Sequence, residues 1–212
     1  MGTDVTQLGP LDDLDPDAAV LIAGPPMTGK YQLLLRLLGA KTDAAILIST
    51  KNGVERVRDD YRAVTGTLDE ARLGVVDCIS YHEAPTVTGP VRFVGSPENL
   101  TRIGVKFTDL FEGFREDPDV ERLGVGLHSV SQLLMHSKVN QVYQFLQVLV
   151  GQIRNERCLV VAVVDTSAAD DEVVRTLQQH FDGLVTTREN ETGTREYRVR
   201  GLSPSASPWT EF

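Results

Sequence analysis

Residues 18–38 read AAVLIAGPPMTGKYQLLLRLL, and this order of side chains leaves few folds open. The short apolar run Ala18–Ala23 reads as a buried strand, a Gly-Pro-Pro turn closes it, and Gly29–Leu38 follows as a leucine-rich helix with Gly39 as its stop. The connecting loop is Gly24-Pro25-Pro26-Met27-Thr28-Gly29-Lys30-Tyr31. It matches the phosphate-loop (Walker A) pattern G-x-x-x-x-G-K and departs from it at the last Ser/Thr. In such a loop the backbone N–H groups curl round an anion and the positive end of the helix adds to the attraction. Gly29 lets the backbone close on a phosphate, and Lys30 reaches the terminal phosphates as a point charge. The missing hydroxyl would normally hold Mg²⁺, and the oxygen of Tyr31, on a long rigid ring, cannot take its place.

The rest of the chain alternates strand and helix. Ala44–Ser49 and Leu73–Ile79 read as buried strands, with an amphipathic helix Val54–Val64 between them. Ser80–Gly95 dissolves into a surface loop, and Ser96-Pro97-Glu98 reads as the capped start of a helix buried through Leu100, Ile103, Phe107, Leu110, Phe111 and Phe114. Leu123–Leu127 is a further strand. A helix over Lys138–Arg154 leads into Cys158–Val164, the most apolar strand, which ends at Asp165. After a helix over Asp170–Phe181, the segments Leu184–Thr187 and Glu196–Arg200 pair as a hairpin. This alternation predicts an α/β fold with a mainly parallel sheet covered by helices on both faces. Residues 1–17 are read as an N-terminal tail, 18–202 as the domain, and 203–212 as a C-terminal tail carrying Trp209 and Phe212.

These pieces, in this order, resemble the KaiC-like branch of the RecA-type P-loop ATPases over residues 8–202. The carrying segments are LIAGPPMTGK (Leu21–Lys30), AAILIST (Ala44–Thr50), RLGVVD (Arg72–Asp77), VGLHSVSQLL (Val125–Leu134) and LVTTRENETGTREYRVRGL (Leu184–Leu202). The resemblance implies a RecA-like P-loop fold with a C-terminal β-hairpin, and ATP or ADP held by Gly24, Pro25, Pro26, Met27, Thr28, Gly29, Lys30 and Tyr31. It also implies a pair of carboxylates after the second strand, one of which activates water. Lys51 and Asn52 stand there, and neither is a ready general base. An Asp that orients the Mg²⁺ shell would end the fourth strand, and His128 stands in its place, a poor partner for a hard ion that prefers oxygen. Asp165 is the alternative acid, set against its plain role of capping the turn before Ser167. Arg195, Arg198 and Arg200 are read as a row on one strand face, able to reach a phosphate across a subunit boundary or simply solvated.

Composition adds limits. The net charge of -9 disfavours nonspecific nucleic-acid binding through bulk charge. Five lysines against sixteen arginines, with Asp prominent, resemble the acidic surfaces of haloarchaeal proteins. No apolar run approaches a membrane span and no leader pattern opens the chain, so a soluble cytoplasmic protein is expected. Cys78 and Cys158 read as small buried hydrophobes, and the four histidines lack zinc-ligand spacing. The reading that follows is a nucleotide-binding regulatory protein, a pseudo-ATPase with impaired or absent hydrolysis that works through a protein partner or self-assembly, with Mg²⁺ an open question. The alternative is an active ATPase with substitute residues, serving signalling, a motor or recombination. A scaffold that has lost nucleotide is the third reading.

Overall fold

Strands that are apolar on both faces have to be covered on both faces, and the chain supplies helices to each. In the computed structural model, which describes residues 8–81, 87–167 and 171–212, the elements follow in this order. They are β1 (Ala19–Gly24), α1 (Lys30–Lys41), β2 (Ala44–Ser49), α2 (Val54–Thr65), β3 (Leu73–Asp77), β4 (Val91–Phe93), α3 (Leu100–Glu116) and β5 (Leu123–His128). There follow α4 (Val130–His136), α5 (Val139–Asn155), β6 (Leu159–Asp165), α6 (Asp171–Gln178), β7 (Gly183–Glu189), β8 (Arg195–Arg200) and β9 (Thr210–Glu211). They build one nine-stranded sheet in the order β4-β3-β2-β5-β6-β1-β7-β8-β9. Pairing is parallel from β4 through β7, and β8 and β9 add on antiparallel.

Alternation along the strands sorts the core into two layers. Ala19, Leu21 and Ala23 of β1 face the layer that holds Phe107, Leu146 and Ile153 of α3 and α5. Val20 and Ile22 face the layer that holds Leu33, Leu34 and Leu37 of α1 and Val57 of α2. Leu8, Leu11 and Leu14 are buried in this second layer, so the segment before β1 packs on the sheet. Both cysteines are buried and unpaired. Among the described residues no helix is long and apolar enough to cross a membrane.

Several expectations change in detail. Helix α1 does not stop at Gly39 but runs to Lys41, capped by Thr42. Gly39 serves a close approach instead, since a Cβ there would meet Thr65 Cγ2 of α2 at 2.5 Å. The cap of α3 is Asn99 rather than Ser96. Asn99 Oδ1 accepts from the Arg102 N–H at 3.0 Å, while Ser96 closes the turn before it. The loop expected over Ser80–Gly95 contains β4, and α4 was not expected at all. His82 and Asp170 lie outside the described residues. The C-terminal residues fold back on the hairpin, where β9 pairs along β8, and Trp209 lies under the guanidinium groups of Arg188 (3.9 Å) and Arg198 (4.8 Å).

Candidate functional site

In an open α/β sheet the carboxyl ends of the strands and the loops that follow form the natural crevice. Here β1, β6, β5 and β2 lie side by side, and their ends bring Gly24, Asp165, His128 and Ser49 to one edge. Lys51 lies two residues past the end of β2. The structure thus gathers Lys30, Tyr31, Lys51, His128 and Asp165, far apart in sequence, round one cavity of about 350 Å³. Pro26, Met27, Thr28 and Gly29 line its loop side, and Asn52 lines the neighbouring cleft between α1 and α2.

The loop is built to turn sharply. Gly29 has φ 81°, a left-handed conformation that costs glycine little, and it starts α1. Pro25, Pro26 and Met27 form an exposed tip. Thr28 is buried, and its Oγ1 contacts Pro25 O at 2.8 Å and Thr187 Oγ1 of β7 at 2.7 Å. Lys30 is also buried. Its Nζ donates to Gly24 O at 2.8 Å and to Pro25 O, and it lies 3.7 Å from Asp165 Oδ2. Burial pulls this ammonium below the ordinary lysine range, and the Asp165 carboxylate opposes that pull.

The other side of the cavity has different chemistry. The ring of Tyr31 stacks on His128, with centroids 4.0 Å apart and planes 16° from parallel. Among the described residues neither the Tyr31 hydroxyl nor His128 Nδ1, both buried, has a hydrogen-bond partner. Burial, reinforced by the charges of Lys51 and Lys30, pushes His128 down to about 4, so the imidazole is neutral at pH 7. Burial and the nearby Asp60 push the Tyr31 phenol up, and it stays protonated. Thr50 ties β2 to β5 here: its Oγ1 donates to Ser129 O at 2.9 Å and accepts from the Ser129 N–H at 2.8 Å.

The donor sets decide what each side can hold. Magnesium asks for oxygen ligands in a near-octahedral shell. Tyr31, Lys51 and His128 offer a phenol turned against a ring, an ammonium and a neutral imidazole, so these residues do not fit a magnesium site. The loop side fits an anion, because Lys30 and Arg195 line the cavity beside the positive start of α1. Asp165 is the one carboxylate among the described residues that line it.

The arginine row does not hold as expected. Side chains alternate along a strand, so Arg195 shares a face with buried Tyr197 and Val199 and lines the cavity, whereas Arg198 and Arg200 point the other way. Counting by two from Tyr197 would have separated them. Two neighbours of the loop carry no sequence signal. Phe212 packs on Gly29, where a Cβ would come within 2.9 Å of its ring, and Ser131 Oγ accepts from the Asp165 N–H at 2.7 Å.

Comparison with known proteins follows the same lines. The model of a family described as "Family of unknown function (DUF7504)" matches residues 18–187. A search of curated proteins found no significant match. The solved structures that share the fold include these three. An uncharacterised protein from Pyrococcus horikoshii, in complex with an unknown peptide, superposes with TM-score 0.65 at 14% identity, covering 88% of this chain and 84% of that one. A KaiC-like protein from Pyrococcus horikoshii OT3 gives 0.64 at 10% identity, with 92% and 84% covered. The flagellar accessory protein FlaH from Methanocaldococcus jannaschii gives 0.58 at 12% identity, with 89% and 79% covered. The fold is RecA-like, of the P-loop ATPase type.

Proposed function

We propose, for a chain that belongs to the DUF7504 family of unknown function, that it binds a nucleoside di- or triphosphate at Gly24–Tyr31, hydrolyses it poorly or not at all, and acts through a protein partner or its own assembly. The observation that carries this reading is the split cavity. Its loop side keeps a left-handed Gly29 and a buried Lys30, while its far side holds the Tyr31–His128 stack and Lys51. A site of this kind draws the phosphates by fixed cations and a helix end, with little call for a divalent ion. ATP or ADP is the expected ligand. The regulatory role is supported by loose analogy, since one neighbour was solved with a peptide and another is a flagellar accessory protein.

A second reading, an ATPase that uses substitute residues, rests on Asp165, whose carboxylate lines the cavity beside Lys30. Titration with ATP, ADP and GTP, with and without Mg²⁺, tests the first reading. We expect binding that Mg²⁺ changes by less than about threefold, and about a hundredfold loss in Lys30→Ala, because the phosphates lose their nearest cation. Unchanged affinity in Lys30→Ala would show that the loop is only a turn.

A further inference from the structure

A lysine that binds phosphate has to point its ammonium at the ligand, and Lys30 points inward. Its Nζ donates to Gly24 O at 2.8 Å and to Pro25 O, and it forms an ion pair with Asp165 Oδ2 at 3.7 Å. Asp165 is itself fixed. It lies opposite Gly24 in the β1–β6 register, and its Oδ1 accepts from the Ser167 N–H at 2.9 Å and the Ser167 hydroxyl at 2.7 Å. Its own N–H donates to Ser131 Oγ at 2.7 Å. Ser167 therefore holds the carboxylate, and Ser131 the backbone that carries it, beside the ammonium.

We propose that Asp165 is a built-in competitor for Lys30: it holds the loop lysine in a withdrawn position that an incoming phosphate must displace, and so sets the affinity and charge preference of the site. The inference rests on the loop being a phosphate site, as proposed above. Two physical effects act together. Displacing the pair separates opposite charges in a partly buried place, and the freed carboxylate then faces the anion that replaced it. Tyr31, Lys51 and His128 offer no oxygen set to hold a magnesium ion between them, so that repulsion stays uncompensated. It grows with the number of phosphate charges near Lys30, so a diphosphate end group is tolerated better than a triphosphate.

Asp165→Asn keeps the shape and the Ser167 contacts while removing the charge. It should bind inorganic pyrophosphate about tenfold tighter than the wild type, with a larger gain for tripolyphosphate. Ser167→Ala, which only loosens the carboxylate, should give a smaller gain. Independently of any ligand, Asp165→Asn should raise the rate at which Lys30 is modified by an amine-reactive reagent, read by peptide mass spectrometry on protein whose circular-dichroism melt shows it folded. Equal affinity of the wild type and Asp165→Asn for both polyphosphates would overturn the competition and leave the phosphate site standing. No binding by either form would overturn the phosphate site itself. An unchanged labelling rate at Lys30 would overturn the pairing whatever the affinities.

Discussion

The two sides of the cavity start from the same strand ends and diverge in chemistry. On the loop side, backbone and side chain agree: β1 ends at Gly24, Gly29 takes φ 81°, and α1 begins with a buried lysine. On the far side the strand ends are equally well built, yet they present an aromatic stack and a lysine. Under the function proposed above, the strand ends that would aim a metal and a water carry side chains that do not suit either. On that reading, holding an anion and activating a water fall to different residues. The split also accounts for the neutral His128, because a buried imidazole between Lys51 and Lys30 loses its proton readily.

The sharpest break in the comparison would come from turnover. A positioned base alone contributes about 10²–10⁴ in rate, and no ready base stands at Lys51 or Asn52. Hydrolysis of ATP should therefore stay far below the roughly 1 s⁻¹ at the slow end of ordinary enzymes, measured as phosphate release with and without Mg²⁺. Turnover near that value that vanished in Asp165→Asn would transfer the catalytic role to Asp165.

The next effect is on stability and isolates the far side. His128 titrates at about 4 in the folded chain against 6.5 in the unfolded one. Below pH 6.5 the unfolded chain takes up a proton that the folded chain refuses, so stability is present above 6.5 and is lost as the pH falls towards 4. The shift is worth about 3 kcal/mol. Urea melts of the wild type should show that loss between pH 6.5 and 4. His128→Phe, which keeps a ring against Tyr31 and cannot titrate, should lose less by about that amount. Equal slopes in the two proteins would show that the imidazole is charged or solvated in the folded state.

The same split explains what could be read from the sequence. The loop side was legible because its signal is local: a strand, a turn with glycines and a helix, all within Ala18–Leu38. The fold was legible through the alternation of apolar runs that a parallel sheet covered on both faces demands. Departures at Tyr31, Lys51 and His128 were visible as residue types, but their stacking and neutrality were not, since these depend on β5 lying next but one to β1. The Lys30–Asp165 contact has no sequence spacing at all, because it follows from the register between β1 and β6. Short pieces such as β4, α4 and β9 escaped because two to seven residues carry too little periodicity to stand out.

The smallest expected effect concerns the loop side and the residues that cover it. Trp209 packs against Arg188 and Arg198, Phe212 meets Tyr197 edge-on with centroids 5.6 Å apart, and the same Phe212 ring lies against Gly29. Both aromatics could have been free anchors for a partner. Their contacts within the chain give them a nearer task, which is to close the sheet beyond β8 and to support the start of α1. Deleting Ser203–Phe212 should then cost about 2 kcal/mol, a fall of roughly 4–8 °C in the melting temperature, with the oligomer mass by light scattering unchanged. Because Phe212 touches Gly29 and lies outside the set lining the Tyr31–His128 cleft, the deletion should weaken polyphosphate binding while leaving the pH slope due to His128 as it was. A deletion that lowered the oligomer mass and kept the melt intact would return Trp209 and Phe212 to the surface as contact anchors. One that flattened the pH slope would show that the two sides of the cavity are mechanically one.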